Sequence, residues 1–430
     1  MNLSLLGFSA LAAFMALVLS RRLSAVAALI LVPIVFGLIA GFGAGLGDMM
    51  LEGVTEVAPT ALMLIFALLY FAVMIEAGLF EPLVRKILQV TGDDPVRVVV
   101  GSAVLAMLVS LDGDGATSAI VTISAMYPVY RRLGLNPLIL AVLLGLSNTL
   151  MNWLPWGGPA ARAALALRID VMDIVGPLLP ALGLSLLAVL GLAYVMGRSE
   201  RRRLAKTGGP VLTEDEAATI TVEPKATRNL WLNLLLTIGL MVGMLTGLAP
   251  LPAVVMGGFA IAVTLNFPRL SEQKAALAHH GETILMMVSL IFAAGAFTGI
   301  LSGTGMIDAM AQSLVSAIPE PLGPYMGPIT ALISMPLLMF MSNDAFFFGI
   351  VPVLGATGAA YGVPPEVIAR ASLMGMPLHA LSPFIAPIYL VASLIRADVG
   401  QLQRFGLPWA LLLSVFATLA AMATGAIIIP

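Results

Sequence analysis

The sequence predicts an all-α polytopic membrane protein, an inverted-topology repeat of about ten transmembrane helices plus two re-entrant hairpins, two of the ten helices being broken. Three observations carry that expectation. The 430 residues are 60% hydrophobic and only 10% charged, whereas a soluble domain carries roughly 25% charged residues. Apolar runs long enough to cross about 30 Å of hydrocarbon recur from one end of the chain to the other. Two of these runs are interrupted at their centres, by Ser110-Leu111-Asp112-Gly113-Asp114-Gly115 and by Met341-Ser342-Asn343-Asp344.

Composition narrows the class. Mean hydropathy is +1.04, too high for a soluble enzyme with one anchor. The apolar N-terminal stretch lacks a small-residue cleavage site before a soluble domain, so it reads as a first span rather than a signal peptide. Cysteine is absent, which removes disulfides and thiolate metal sites. A net charge of −2 implies no partner by itself, and nothing points to nucleic acid.

Simple spans are expected near 3–20, 24–45, 58–78, 175–197, 229–248, 251–267, 283–301 and 406–429. Segments 136–168 and 364–395 are too long for one plain span, and each has a Gly/Pro-rich interruption, so they read as broken helices. Segments 98–130 and 324–352 hold the acidic breaks and read as hairpins. Basic residues support this arrangement. With both hairpins entering and leaving on one side, the loops at 79–97, 131–132, 198–228, 268–274 and 396–405 share the side of Arg21 and Arg22. These hold 18 of the 21 Lys and Arg residues, leaving Arg162, Arg168 and Arg370, and the stretches 302–323 and 353–364 have none. Cytoplasmic loops are enriched in Lys and Arg, so both termini are expected outside the cytoplasm. The polar stretch 198–228, with its acidic tract Glu214-Asp215-Glu216, reads as a cytoplasmic linker, or as a lipid-headgroup contact through its Arg run.

The linker separates a first repeat, 1–197, from a second, 229–430. Pro137 and Pro365, Pro155 and Pro383, and Pro159 and Pro387 are each 228 positions apart, and Asp114 and Asp344 are 230 apart. Five crossings and one hairpin per half would invert the second half relative to the first. Secondary transporters built this way place their sites at the repeat interface near the midplane.

An ionised side chain at membrane depth costs roughly 2.5–3.5 kcal/mol on insertion scales, so intramembrane carboxylates mark function by default. Irregular backbone there must be buried or line a water-filled cavity. Gly113 and Gly115 permit a hairpin tip. Asp112, Asp114, Asn343 and Asp344 supply hard oxygen ligands, with Ser342, Thr117 and Ser118 beside them. Such donors suit Na⁺, Mg²⁺ or Ca²⁺, and the carboxylates can instead carry a proton. The blander reading is a packed tip whose charges never enter the membrane. The broken segment around Ser147, Asn148, Thr149, Asn152, Pro155, Gly157, Gly158 and Pro159 pairs with one around His379, Ser382, Pro383 and Pro387. Proline breaks there expose half-helix N-termini, which attract carboxylates. Arg162 then either clamps a carboxylate, snorkels to headgroups or pairs with a structural acid. His379 either carries a proton, binds substrate or makes a structural hydrogen bond. Glu76 reads as an interfacial structural residue, and His279-His280 as loop surface beside Glu282.

At Leu111-Asp112-Gly113-Asp114-Gly115, Asn152 with Pro155-Trp156-Gly157-Gly158-Pro159, Ala161-Arg162-Ala163, Ser342-Asn343-Asp344-Ala345-Phe346-Phe347-Phe348-Gly349 and the stretch from Leu69 to Phe80, the chain resembles the citrate–metal–proton symporter family, CitMHS, of the ion transporter superfamily. The resemblance implies proton-coupled uptake of citrate, or a related carboxylate, complexed with a divalent cation such as Mg²⁺ or Ca²⁺. It implies no resident cofactor. It also implies a homodimer in a bacterial inner membrane and an elevator-like movement of the substrate-holding unit. Ser147-Asn148-Thr149 resembles a sodium–dicarboxylate carrier signature, but it lies on the broken helix, and the second tip has an acid, Asp344, where that signature has Thr.

Alternatives on the same scaffold are a cation/proton antiporter and a sodium-coupled di- or tricarboxylate carrier. An intramembrane aspartyl protease has a Gly-x-Gly-Asp element at Gly45-Leu46-Gly47-Asp48, but no use for hairpins. No nucleotide-binding loop of the form Gly-x-x-x-x-Gly-Lys-Ser/Thr supports an ATP-driven pump.

Overall fold

The computed structural model describes residues 2–20, 22–113, 115–207, 229–246 and 249–428, without the side chains of Leu19, Asp112, Thr207 and Leu245. It is 84% helix, and no strand occurs among the described residues. Among the described residues, five helices are long and apolar enough to cross a bilayer, and seven shorter apolar helices accompany them.

The first half runs α1 (Leu3–Leu19), α2 (Ala25–Ile39), α3 (Leu46–Glu76), α4 (Glu81–Thr91), α5 (Pro95–Val109), α6 (Gly115–Leu133), α7 (Pro137–Met151), α8 (Gly158–Leu167) and α9 (Val171–Thr207). The second runs α10 (Leu230–Thr246), α11 (Leu251–Asn266), α12 (Leu270–His279), α13 (Gly281–Gly303), α14 (Met306–Ala317), α15 (Met326–Phe340), α16 (Val351–Ala360), α17 (Pro365–Ser372), α18 (Met376–His379), α19 (Ala386–Leu394) and α20 (Val399–Ala423). Local chemistry sets many starts. Asn2, Ser24, Asp94, Asn136 and Asp398 accept N–H bonds of the first turns of α1, α2, α5, α7 and α20. Pro95, Pro137 and Pro365 occupy the first position of α5, α7 and α17, where the missing N–H is no loss. Pro159 and Pro387 each occupy the second position of α8 and α19.

Several boundaries differ from the sequence expectation. The span expected at 58–78 begins at Leu46, because Asp48, Glu52 and Glu56 recur every four residues on one helix face and hide the extension from hydropathy. Glu56 is neutralised by Arg168, Nε to Oε2 2.9 Å. The helix α9 continues through 198–207, the start of the expected linker. Arg203 pairs there with Glu200 at 2.7 Å, Asn136 N–H donates to Glu200, and Arg201 pairs with Asp94. The Arg201 guanidinium holds the Asp94 carboxyl below the usual carboxylate range. The rest of the linker, 208–228, lies outside the described residues. The stretches 79–97 and 302–323, expected as loops, contain α4 and α14, and 268–274 and 396–405 hold the starts of α12 and α20. In α4 the charges Glu81, Arg85 and Lys86 interleave with Leu83, Ile87 and Val90, an amphipathic pattern that a hydropathy window averages away.

Packing interlocks the two halves. α3 crosses α13 backbone to backbone: a Cβ on Gly53 would collide with the Gly295 carbonyl, and one on Gly299 with the Met49 carbonyl. α5 lies against α6, α7 and α9, and α15 against α17 and α18. Across the halves, α6 meets α19, α7 meets α18, and α8 meets α16 and α17. The interruptions between α5 and α6, α7 and α8, α15 and α16, and α18 and α19 thus belong to elements that touch one another.

Candidate functional site

A cavity of about 270 Å³ opens where these elements cross, near the lower end of the roughly 300–1,000 Å³ typical of small-molecule sites. Its polar lining comes from Asn148, Thr149 and Asn152 on the first broken helix, Arg162 on α8, Asn343 at the second interruption and His379 on α18. Gly113, Gly115 and Gly158 supply bare backbone.

The turn between α5 and α6 reaches this wall because Gly113 takes φ +75°, a left-handed conformation that favours glycine. A Cβ on Gly113 would stand 3.6 Å from Asn152 Oδ1, and one on Gly115 3.5 Å from Asn148 Oδ1 and 3.6 Å from Pro387 Cγ. The turn is therefore wedged between α7 and α19. Trp156 ties it down: the indole Nε1 donates to Leu111 O at 2.7 Å, and the ring packs on Phe71 with centroids 5.6 Å apart. Trp156 is a positioning residue that its motif alone does not single out. An indole N–H inside a helix break was the available signal, since a buried donor needs a partner.

Three polar atoms at the cavity have no hydrogen-bond partner: Asn148 Nδ2, Asn343 Oδ1 and His379 Nε2. Buried polar atoms are almost always satisfied, so three unsatisfied ones on residues lining one cavity point to a polar ligand. Asn148 is held by its neighbour, as Asn152 Nδ2 donates to Asn148 Oδ1 at 3.1 Å and to Asn148 O at 2.9 Å. His379 Nδ1 faces Leu338 O at 2.7 Å. A carbonyl only accepts, so in the neutral ring Nδ1 carries the proton and Nε2 keeps an unshared lone pair.

The first turns of α8 and α19 also line the cavity, through Gly158 and Pro159 and through Pro387 and Ile388. Neither helix has a side-chain cap at its N-terminus. Free N–H groups and the positive dipole end there favour carboxylate.

Arg162 Nε donates to Asp344 Oδ1 at 2.7 Å, with side chains 24% and 20% exposed. Of the readings open for Arg162, the structure therefore has it paired with an acid of the other half. Arg162 also lines a second cavity, of about 410 Å³, together with Asp344, Gly113, Trp156 and Gly158. Arg162 thus borders both cavities, and Asp344 borders the second. Asp344 leads into a π-helical turn, Ala345–Ile350, a distortion found often at functional sites.

The other expected site residues are placed elsewhere. Ser342 Oγ accepts the Ala345 N–H at 3.3 Å and caps that turn. Ser382 Oγ donates to Met339 O at 2.9 Å and is buried. Gly157 begins α8 with no room for a Cβ against the Asn152 backbone. Thr117 and Ser118 lie in the first turns of α6, and neither borders the cavity. Asp114 and the side chain of Asp112 lie outside the described residues.

The chain is similar to proteins named as transporters. The family model described as "Citrate transporter", CitMHS, matches residues 4–375. A Bacillus subtilis (strain 168) protein named "Citrate transporter" is 47% identical over 428 residues, covering 99% of each chain. The "Mg(2+)/citrate complex secondary transporter" of the same organism is 45% identical over 428 residues, again 99% of each. The crystal structure of the Alcanivorax borkumensis YdaH transporter has a similar fold, with a TM-score of 0.61 at 15% identity over 91% of this chain and 90% of that one. The family and these relatives are transporters and not enzymes. With a family match over most of its length and relatives near half identical from end to end, this multi-pass membrane protein belongs to the CitMHS citrate transporter family.

Proposed function

We propose that this chain is a secondary transporter that carries citrate, or a related carboxylate, as a complex with a divalent cation, in symport with protons. The observation that carries the reading is one cavity lined by Asn148, Asn343 and His379, each with an unsatisfied polar atom, by the uncapped first turns of α8 and α19, and by Arg162 of the Arg162–Asp344 pair. The names of the relatives support the substrate.

The ion pair suggests how the complex enters. Citrate with its three carboxylates ionised keeps one net negative charge after binding a divalent cation. Chelation thus removes most of the charge that would otherwise be desolvated. The complex inserts between Arg162 and Asp344, with a carboxylate on Arg162 and the cation on Asp344, so neither protein charge is left unpaired. Asn343 and the acids Asp112 and Asp114 complete an oxygen ligand set for Mg²⁺ or Ca²⁺. Asn148, Asn152 and the N-termini of α8 and α19 receive the remaining carboxylates. A carboxylate of this set, or His379, takes up the coupled proton.

The rest follows the repeat. The interruptions at 110–114 and 341–344 are re-entrant hairpin tips, the 228-residue proline offset marks an inverted repeat, and the unit enclosing the cavity moves as an elevator within a homodimer. The protein sits in a bacterial inner membrane with both termini outside the cytoplasm.

Uptake of radiolabelled citrate into proteoliposomes, with and without Mg²⁺ or Ca²⁺ and with an inward proton gradient, tests this reading. Uptake is expected only when metal is present, and a protonophore is expected to abolish accumulation. Uptake that needs sodium instead would favour the sodium-coupled alternative. Absence of citrate uptake under every metal condition, with metal/proton exchange retained, would favour the antiporter.

A further inference from the structure

Away from the cavity, three ligating side chains meet at the end of α3. Glu76 is the last residue of α3, His279 the last of α12, and His280 joins α12 to α13. One carboxylate oxygen and one nitrogen from each ring lie within 4.8 Å of one another. His280 Nε2 and Glu76 Oε1 stand 3.5 Å apart. That is long for a hydrogen bond, which has its mode near about 2.9 Å. It fits a shared ion: tetrahedral bonds of about 2.0–2.1 Å hold neighbouring ligand atoms about 3.4 Å apart.

Two further features favour a cation here. His280 Nε2 is shielded from solvent and makes no hydrogen bond, an uncommon state for a ring nitrogen. Glu76 and His279 also sit at the C-terminal ends of α3 and α12, where the helix dipoles point their negative ends, although His280 also caps the N-terminus of α13. The ring of His279 stands edge-on to that of His280, centroids 4.9 Å apart, and is exposed, so rotation brings its nitrogen in.

We propose that Glu76, His279 and His280 form a binding site for a divalent transition-metal ion of the Zn²⁺, Co²⁺ or Ni²⁺ kind, one that fills without citrate and ties α3 to the junction of α12 and α13. Two imidazoles and one carboxylate suit these ions, whereas Mg²⁺ and Ca²⁺ want mostly oxygen ligands. The site shares no residue with the citrate cavity. An ion there fastens the end of α3, the helix that crosses α13 backbone to backbone, so free transition metal acts on the helices around the transport unit and not on the cargo.

The test uses the full chain, purified without a polyhistidine tag and stripped with chelator. Titration with Co²⁺ in the absence of citrate, followed by visible absorption and by calorimetry, is expected to fill one site per chain. Glu76→Gln, His279→Ala and His280→Ala are each expected to weaken binding at least tenfold, and Arg162→Gln to leave it unchanged. Absence of citrate-independent binding, or binding as tight as in the wild type in both Glu76→Gln and His280→Ala, would overturn the proposal. Glu76→Gln and the exposed His279→Ala keep the test open if His280→Ala does not fold. The titration involves no citrate, so failure of the transport reading registers separately, in the uptake assay.

Discussion

Arg162→Gln and Asp344→Asn are each expected to lower citrate uptake at least hundredfold while the protein still inserts in the membrane. Each change leaves the partner charge without its counterion. For fully buried pairs that loss costs about 3–5 kcal/mol. Here the side chains are 24% and 20% exposed, so partial hydration places the stability cost nearer about 2 kcal/mol. The double variant is expected to melt closer to the wild type than either single variant, because no charge is stranded, yet to remain inactive. That split separates a transport role from a structural one. Stability read by melting in detergent recovers in the double variant, and transport read by proteoliposome uptake does not. Asp114→Asn is expected to join the inactive set as a cation ligand. Near wild-type uptake in both Arg162→Gln and Asp344→Asn would refute the site assignment.

Gly157→Ala is expected to abolish transport by a different route. Gly157 N–H donates to Leu154 O at 2.8 Å, and the chain then folds back so tightly that a Cβ would overlap the Asn152 carbonyl. The neighbouring atoms are backbone and cannot swing aside. Overpacking of this kind costs about 1–3 kcal/mol, and relief has to displace either Asn152 or the start of α8, both of which line the cavity. Gly115→Ala is the control. Its Cβ would meet Asn148 Oδ1 at 3.5 Å and Pro387 Cγ at 3.6 Å, ordinary contacts, so the fold is expected to hold. The melting temperature is expected to fall in Gly157→Ala and stay within about 1 °C of wild type in Gly115→Ala, with citrate affinity reduced in the latter because the methyl enters the cavity. Equal melting temperatures and unimpaired uptake in both would contradict this view of the break.

Membrane class and the positions of the interruptions were legible in the sequence, because apolar runs and the prolines, glycines and acids that break them are local signals. The start of α3 was not, because Asp48, Glu52 and Glu56 lower the hydropathy there, and only the fold brings Arg168 beside Glu56. α4 was hidden by its own amphipathicity. At the site, residue types pointed to Asn148, Asn152, Arg162, Asn343 and His379, all of which border the cavity. Type alone gave no means of telling Ser342 and Ser382, which bond backbone nearby, from these. Nor did it pair Arg162 with Asp344, since that contact spans the two halves of the chain. The meeting of Glu76 with His279 and His280 is likewise a product of tertiary packing, which joins the end of α3 to the α12–α13 junction.

The central claim is that one cavity between the interrupted helices holds both cation and carboxylate. Anomalous scattering from crystals grown with Mn²⁺ and citrate tests it most directly. The expected result is a metal peak about 2.0–2.6 Å from oxygens of Asn343 and Asp344, with citrate beside it and Arg162 turned from Asp344 to a citrate carboxylate. Citrate and metal bound outside this cavity, with the Arg162–Asp344 pair intact in transport-competent protein, would contradict it.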